Sequence, residues 1–85
     1  MKVKLLFFAA LREQLGRPTE EVELPASVTT VGALRDHLRA RGGEWERVFA
    51  PNRPVRAAVN QDMVQAEARI KAGDEVAFFP PVTGG

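Results

Sequence analysis

Few groups in this chain of 85 residues could do chemistry. It has no cysteine and one histidine, His37, which excludes disulfides, thiolate nucleophiles and thiolate metal ligands, and a lone histidine builds no metal site by itself. No HExxH, glycine-rich phosphate loop or Ser/His/Asp pairing occurs. What remains is the C-terminus, Gly84-Gly85. An α-carboxylate has a pKa of about 3.3 to 3.7, so at neutral pH it is an anion that resists nucleophilic attack. Conversion to an acyl-adenylate makes a carboxylate oxygen a leaving group, which a nucleophile can then displace.

The residues before the carboxylate suit delivery. Glycine at 84 and 85 removes Cβ where main chain would thread a narrow channel, and leaves φ unrestricted. Val82 to Gly85 spans about 13 Å when extended, at ~3.3 Å per residue. Pro80-Pro81 fixes φ near −65°, ends a strand and gives the arm a stiff base. Gly85 is thus the candidate reacting residue, Gly84 the one that lets the tail pass, and 82–85 a flexible arm on a folded domain of residues 1–81.

The elements that must position this arm follow from hydrophobic spacing. Lys2 to Phe8 opens with Val3, Leu5 and Phe7 alternating against Lys2 and Lys4, a strand. Leu11 and Leu15, followed by Gly16, predict a short helix over Ala9 to Leu15 that Pro18 would halt in any case. Glu20 to Leu24 alternates Val22 and Leu24 with glutamates, a second strand. Thr29 or Thr30 can cap a helix running to about Arg41, with Val31, Leu34 and Leu38 as its apolar stripe and Gly42-Gly43 at its end. Glu44 to Pro54, with Trp45, Phe49 and interspersed prolines, shows no period and reads as a loop or a 3₁₀ turn against the core. Val55 to Val59 forms a strand, Asn60-Gln61-Asp62 a reversal before Met63-Val64, and Glu75 to Phe79 the last strand after a turn at 71–74. The order predicts an α+β fold, a β-grasp in which one long helix packs on one face of a single mixed sheet.

Strand parity then divides the residues. Val3, Leu5, Phe7, Val76 and Phe78 suit the face under the helix, which leaves Leu6, Phe8, Ala77 and Phe79 pointing outward, where a monomer does not normally collect neighbouring apolar groups. His37, between Arg35, Asp36 and Arg39, reads as a solvated helix residue, Trp45 and Phe49 as core fillers, and Arg35, Arg39 and Arg41 as a charged helix face.

Size and charge narrow the class. One small core fits, and a chain of this length buries only about 60 to 65% of its unfolded surface, so an enclosed substrate cavity is not expected. Twelve Lys and Arg against eleven Asp and Glu, interspersed, give a net charge of +1, no footprint for nucleic acid or an anionic membrane. Nothing approaches the ~18 apolar residues of a membrane span, and the N-terminus lacks a signal-peptide cleavage site, so a cytoplasmic protein is expected.

LLFFAALREQLG near the start, AAVNQ in the middle and GDEVAFFPPVTGG at the end together resemble the small, sulfur-carrying subunits of molybdopterin synthases, members of the ubiquitin-like β-grasp sulfur carriers. The resemblance spans the whole chain and is most specific from Gly73 to Gly85. It implies that an ubiquitin-activating-like adenylyltransferase consumes ATP to adenylate Gly85 and that sulfur replaces the adenylate as a thiocarboxylate. It further implies that the tail enters the large catalytic subunit, in a heterotetramer, and donates sulfur to cyclic pyranopterin monophosphate. On this reading the chain binds no cofactor and is not catalytic alone. The family's arrangement places the first and last strands side by side, so Phe8 and Phe79 are expected to form one patch beside the arm that, with Pro80, Pro81, Val82 and Thr83, meets both partners. Two alternatives share fold and tail: a modifier conjugated to lysines, and the sulfur carrier of thiamine biosynthesis, whose chains are typically shorter and lack the aromatic-Pro-Pro block.

Overall fold

The computed structural model describes residues 1–81; the expected arm over 82–85 lies outside the described residues. The elements run β1 (Lys2–Phe7), α1 (Ala9–Leu15), β2 (Thr19–Glu23), α2 (Val31–Arg39), α3 (Glu44–Val48), β3 (Arg56–Val59), β4 (Asp62–Val64) and β5 (Glu75–Phe79). The strands form one sheet in the order β2-β1-β5-β3-β4. β1 and β5 are parallel neighbours at its centre, and the other pairings are antiparallel. This is the β-grasp order, and it brings the first and last strands together as expected.

One face of the sheet is sealed. Val3, Leu5, Phe7, Ala57, Val76 and Phe78 join Leu11 and Leu15 of α1, Val31, Leu34 and Leu38 of α2, and Val48 and Phe49 from α3 and its end in one buried cluster. α2 is the longest helix among the described residues, and α1 and α3 complete the cover. Removing these side chains from water, at about 25 cal/mol per Å² of apolar area, is the main force holding the domain together. Phe7, Phe49 and Phe78 are stacked or edge-to-face within the cluster, Phe49 and Phe78 with ring centroids 5.1 Å apart.

Local chemistry explains the boundaries. Gly16 ends α1 in the left-handed region, φ 75°, its N–H donating to the Arg12 carbonyl. Thr30 is the cap of α2, its Oγ1 accepting from the Ala33 N–H at 3.1 Å. α2 stops at Arg39, short of the expected Arg41, because the Arg41 and Gly42 N–H groups donate to the carbonyls of Leu38 and Arg39, tightening the last turn. Gly42-Gly43 follows with positive φ. Glu44 to Val48 is an α-helix and not the expected loop or 3₁₀ turn. Trp45, Val48 and Phe49 do have i, i+3, i+4 spacing, and the short helix is held by packing, since its length is too small for intrinsic propensity. β2 begins at Thr19 and ends before Leu24, whose N–H donates to the Met1 carbonyl.

The hairpin of β3 and β4 turns through Asn60 and Gln61, both at positive φ (50° and 74°), the geometry of a two-residue turn that fixes register. Asn60 also pins the hairpin to the start of β5. Its Nδ2 donates to the buried Asp74 carboxylate at 3.0 Å, while its Oδ1 accepts from the Glu75 N–H. Asp74 accepts a further bond from the Lys71 N–H at 2.8 Å, so a buried carboxylate with these bonds orders the turn into the strand that leads to the arm.

Candidate functional site

The face opposite the helices carries the side chains that parity leaves outside. In register, Leu6 lies beside Ala77, Ala77 opposite Ala58 and Ala58 opposite Met63, an apolar row crossing the sheet from β1 to β4. One row nearer the arm, Phe79 lies opposite Arg56. Phe8 stands next to that row: the parallel ladder continues through its N–H, which donates to the Phe78 carbonyl at 3.1 Å, and its own backbone is extended. One row farther from the arm, Lys4 lies between Glu21 and Glu75. The face is therefore graded, carrying Lys4, Glu21 and Glu75 at the end where β5 begins and Phe8 and Phe79, with Arg56 beside them, where β5 runs out into Pro80-Pro81.

Exposure follows the same division. Phe8 is 48% exposed and Met63 55%, the large hydrophobics that the fold leaves in water, while Leu6, Ala77, Phe79, Pro80 and Pro81 are half-buried. Phe8 is presented by a strained turn: Ala9, the residue after it, has φ 53°, a left-handed conformation that costs an L-residue with Cβ roughly 1–2 kcal/mol. The expected patch of Phe8 and Phe79 beside Pro80 and Pro81 is thus on one face at one end of the sheet. Val82, Thr83, Gly84 and Gly85 lie outside the described residues.

Reading the residues alone missed Ala58, Met63 and Arg56 on this face. The signal existed: the two-residue turn at Asn60-Gln61 dictates that Met63 pairs with Ala58, and alternation from Ala57 puts both on the outer side. It also left Arg41 on a solvated helix face. Arg41 is instead past the helix end, its guanidinium 4.3 Å from the Trp45 ring centroid and bonded to both Glu20 carboxylate oxygens, at 3.0 Å to Oε1. Arg17 approaches the same ring at 5.6 Å and the same carboxylate at 2.7 Å. Hydrogen bonding from Arg41, opposed by burial and helped by the charges of Arg41 and Arg17, holds the Glu20 carboxyl below its usual range. This clamp joins β2 to the start of α3 on the covered side.

No group of three or more His, Cys, Asp or Glu side chains that could hold a metal ion occurs among the described residues, and no helix among them is long and apolar enough to cross a membrane.

A model of the ThiS family matches residues 5–85. The chain belongs to the ThiS family. It is 46% identical over 83 residues to the molybdopterin synthase sulfur carrier subunit of Escherichia coli strain K12, covering 98% of this chain and 99% of that one. Among solved structures it superposes on SAMP1 from Haloferax volcanii with a TM-score of 0.78 and 31% identity over the whole of both chains. It also matches a chain of the BexX/CysO complex of Amycolatopsis orientalis, with a TM-score of 0.66 and 26% identity over 98% of this chain and 99% of that one. As a ThiS-family domain it has the ubiquitin-like β-grasp fold.

Proposed function

We infer that this chain is the sulfur carrier subunit of a molybdopterin synthase. The observation that carries the reading is 46% identity to the Escherichia coli carrier subunit over 98% of this chain and 99% of that one. The geometry fits it, since the end of the open face that carries Phe8 and Phe79 lies where β5 hands the chain to the arm. In the reaction, the Gly85 carboxylate attacks the α-phosphorus of ATP on the adenylyltransferase and pyrophosphate leaves. A sulfide-level nucleophile (HS⁻) delivered by another protein then adds to the acyl carbon, the acyl–oxygen bond to AMP breaks, a proton goes to solvent, and the C-terminus becomes a thiocarboxylate. In the cytoplasm, the loaded arm enters the large catalytic subunit and gives its sulfur to cyclic pyranopterin monophosphate, within a heterotetramer.

The roles divide along the chain. Gly85 holds the reacting carbonyl, Gly84 leaves room for the main chain in a narrow tunnel, and Val82 and Thr83 lie along it. Pro80 and Pro81 aim the arm, and Phe8 and Phe79 dock the body outside the tunnel. The chain supplies no catalytic acid or base of its own. Neither alternative, lysine conjugation or the thiamine pathway, is favoured by the relatives at this identity.

The test is mass analysis of the peptide AGDEVAFFPPVTGG, released by cleavage after Lys71, from protein incubated with the adenylyltransferase, ATP and a sulfur donor. Replacement of oxygen by sulfur in that peptide is expected. Because the peptide lacks methionine, oxidation of Met1 or Met63 cannot imitate the change. An unmodified peptide under these conditions overturns the reading, and Gly-Gly remnants on cellular lysines would point to conjugation instead.

A further inference from the structure

Beside the base of the arm the surface opens into a groove of about 970 Å³ between α2, the segment 51–55 and the β3–β4 hairpin. Its lining includes Arg35, Arg53 and Arg56, with Glu67 as the acidic residue among them, and apolar walls from Pro54, Met63 and Pro81. Four arginines outside the groove are compensated: Arg17 and Arg41 pair with Glu20, Arg39 with Asp36 and Arg47 with Glu44. Among the described residues, Arg35, Arg53 and Arg56 pair with no carboxylate. The one bond from Arg35 is a long one, 3.4 Å from Nη2 to the Arg53 carbonyl. Burial lowers its pKa, the nearby Asp36 opposing the shift, so the groove holds a partly desolvated guanidinium with no carboxylate in ion-pair contact. Such a cation gains more from a carboxylate than an exposed one does.

The groove is continuous with the candidate docking face. Met63 belongs to both, Arg56 lies opposite Phe79, and Pro81 forms a wall of the groove where the arm departs. The apolar stripe is itself small, built largely from alanines and half-buried side chains, and comparable to the few hundred Å² that many monomers expose. A stable protein complex needs about 800 Å² from each partner, so an assembly seated on the stripe must extend past it, and the adjoining surface is this groove. Its size exceeds that of a single carboxylate or phosphate, and its walls of proline and methionine suit a peptide.

We infer that the groove receives an acidic segment of the large synthase subunit, one carboxylate pairing with Arg35 at the back and others with Arg53 and Arg56 at the rim, with apolar side chains against Pro54 and Met63. This rests on the carrier reading and adds a second, electrostatic contact to the apolar stripe. The pairing gives the large subunit a contact by which a solvated basic rim and a half-buried guanidinium select for negative charge.

The experiment measures association of the full chain with the large subunit by titration calorimetry at low and high salt, with sulfur loading of Gly85 followed in parallel. Arg53→Glu places a like charge at an exposed position, Arg35→Gln removes the inner cation, and Arg53→Lys keeps the charge. The first two are expected to weaken association roughly tenfold or more at low salt and to flatten its salt dependence, with Arg53→Lys close to the unsubstituted chain. Circular dichroism checks that each variant is folded. Unchanged affinity in folded Arg53→Glu and Arg35→Gln overturns the groove contact and leaves the carrier reading standing. No association and no loading of the unsubstituted chain overturns both. Two other occupants are read directly and also overturn the inference: inorganic pyrophosphate binding tightly to the chain alone, with chemical-shift changes at Arg35 and Arg53, or self-association of the chain abolished by Arg53→Glu.

Discussion

Phe7 and Phe8 are neighbours in the chain, as are Phe78 and Phe79, and in each pair one ring serves the fold and the other faces away from it. Phe7 is 1% exposed and Phe78 0%, stacked with each other beneath the helices. Phe8 is 48% exposed, and Phe79 is half-buried on the opposite face beside Pro80. Side-chain chemistry is identical, so the difference comes from the pleat, which sends successive residues to opposite faces, and from helices that cover one face only. An apolar residue can thus stabilise the domain or offer a partner surface to bury, according to its parity.

The sharpest way to break that contrast is truncation on each side. Phe78→Ala leaves a cavity among Phe7, Phe49 and Ala57, and is expected to cost about 3–5 kcal/mol in denaturant melts, a large part of the stability of a domain this small. Phe79→Asp should leave the melting curve within about 1 kcal/mol while weakening association with the large subunit or the adenylyltransferase by roughly thirtyfold or more, as for an interface anchor. Equal stability losses in the two variants would erase the distinction between the faces.

A smaller effect separates the backbone from the ring. Ala9→Gly removes the Cβ penalty at φ 53° and is expected to raise stability by up to about 1 kcal/mol, readable as a rise in Tm, with Phe8 still in place to dock. A fall in Tm would show that the turn presenting Phe8 is not strained.

The last prediction concerns acid. The folded-state pKa of Glu20 is depressed, chiefly through its hydrogen bond to Arg41, so the clamp on the covered side contributes fully above the unfolded pKa of about 4.3. Its contribution fades as pH falls through the lower folded value. Glu20→Gln is therefore expected to be less stable than the parent at pH 7, by a few tenths of a kcal/mol for a pair this close to solvent, with the gap narrowing below about pH 4 in thermal melts. A gap that widens in acid would contradict the pairing.

Much of the fold was legible because its signals are local. The stripe of Val31, Leu34 and Leu38, the Thr30 cap and the Gly16 stop each act within a turn or two of chain, and alternation in Lys2–Phe7 and Glu75–Phe79 separates buried from outward residues. The short helix at Glu44–Val48 was not legible, since five residues form a helix only when Trp45, Val48 and Phe49 have a core to meet. The adjacency of β1 and β5, which are far apart in sequence, came from the family resemblance and not from periodicity, and the company that Met63, Ala58 and Arg56 keep on the open face was not legible. Arg41 shows the same limit: sequence neighbours put it on a helix, but Trp45 and Glu20, reached only in the folded chain, decide its role. The sequence by itself determined which residues of the strands and of α2 turn inward, because periodicity is a local property. Only the tertiary structure decided that Met63, Ala58 and Arg56 join the open face and that arginines without a carboxylate partner line the groove beside it, because those arrangements depend on strand order and on loop packing across the domain.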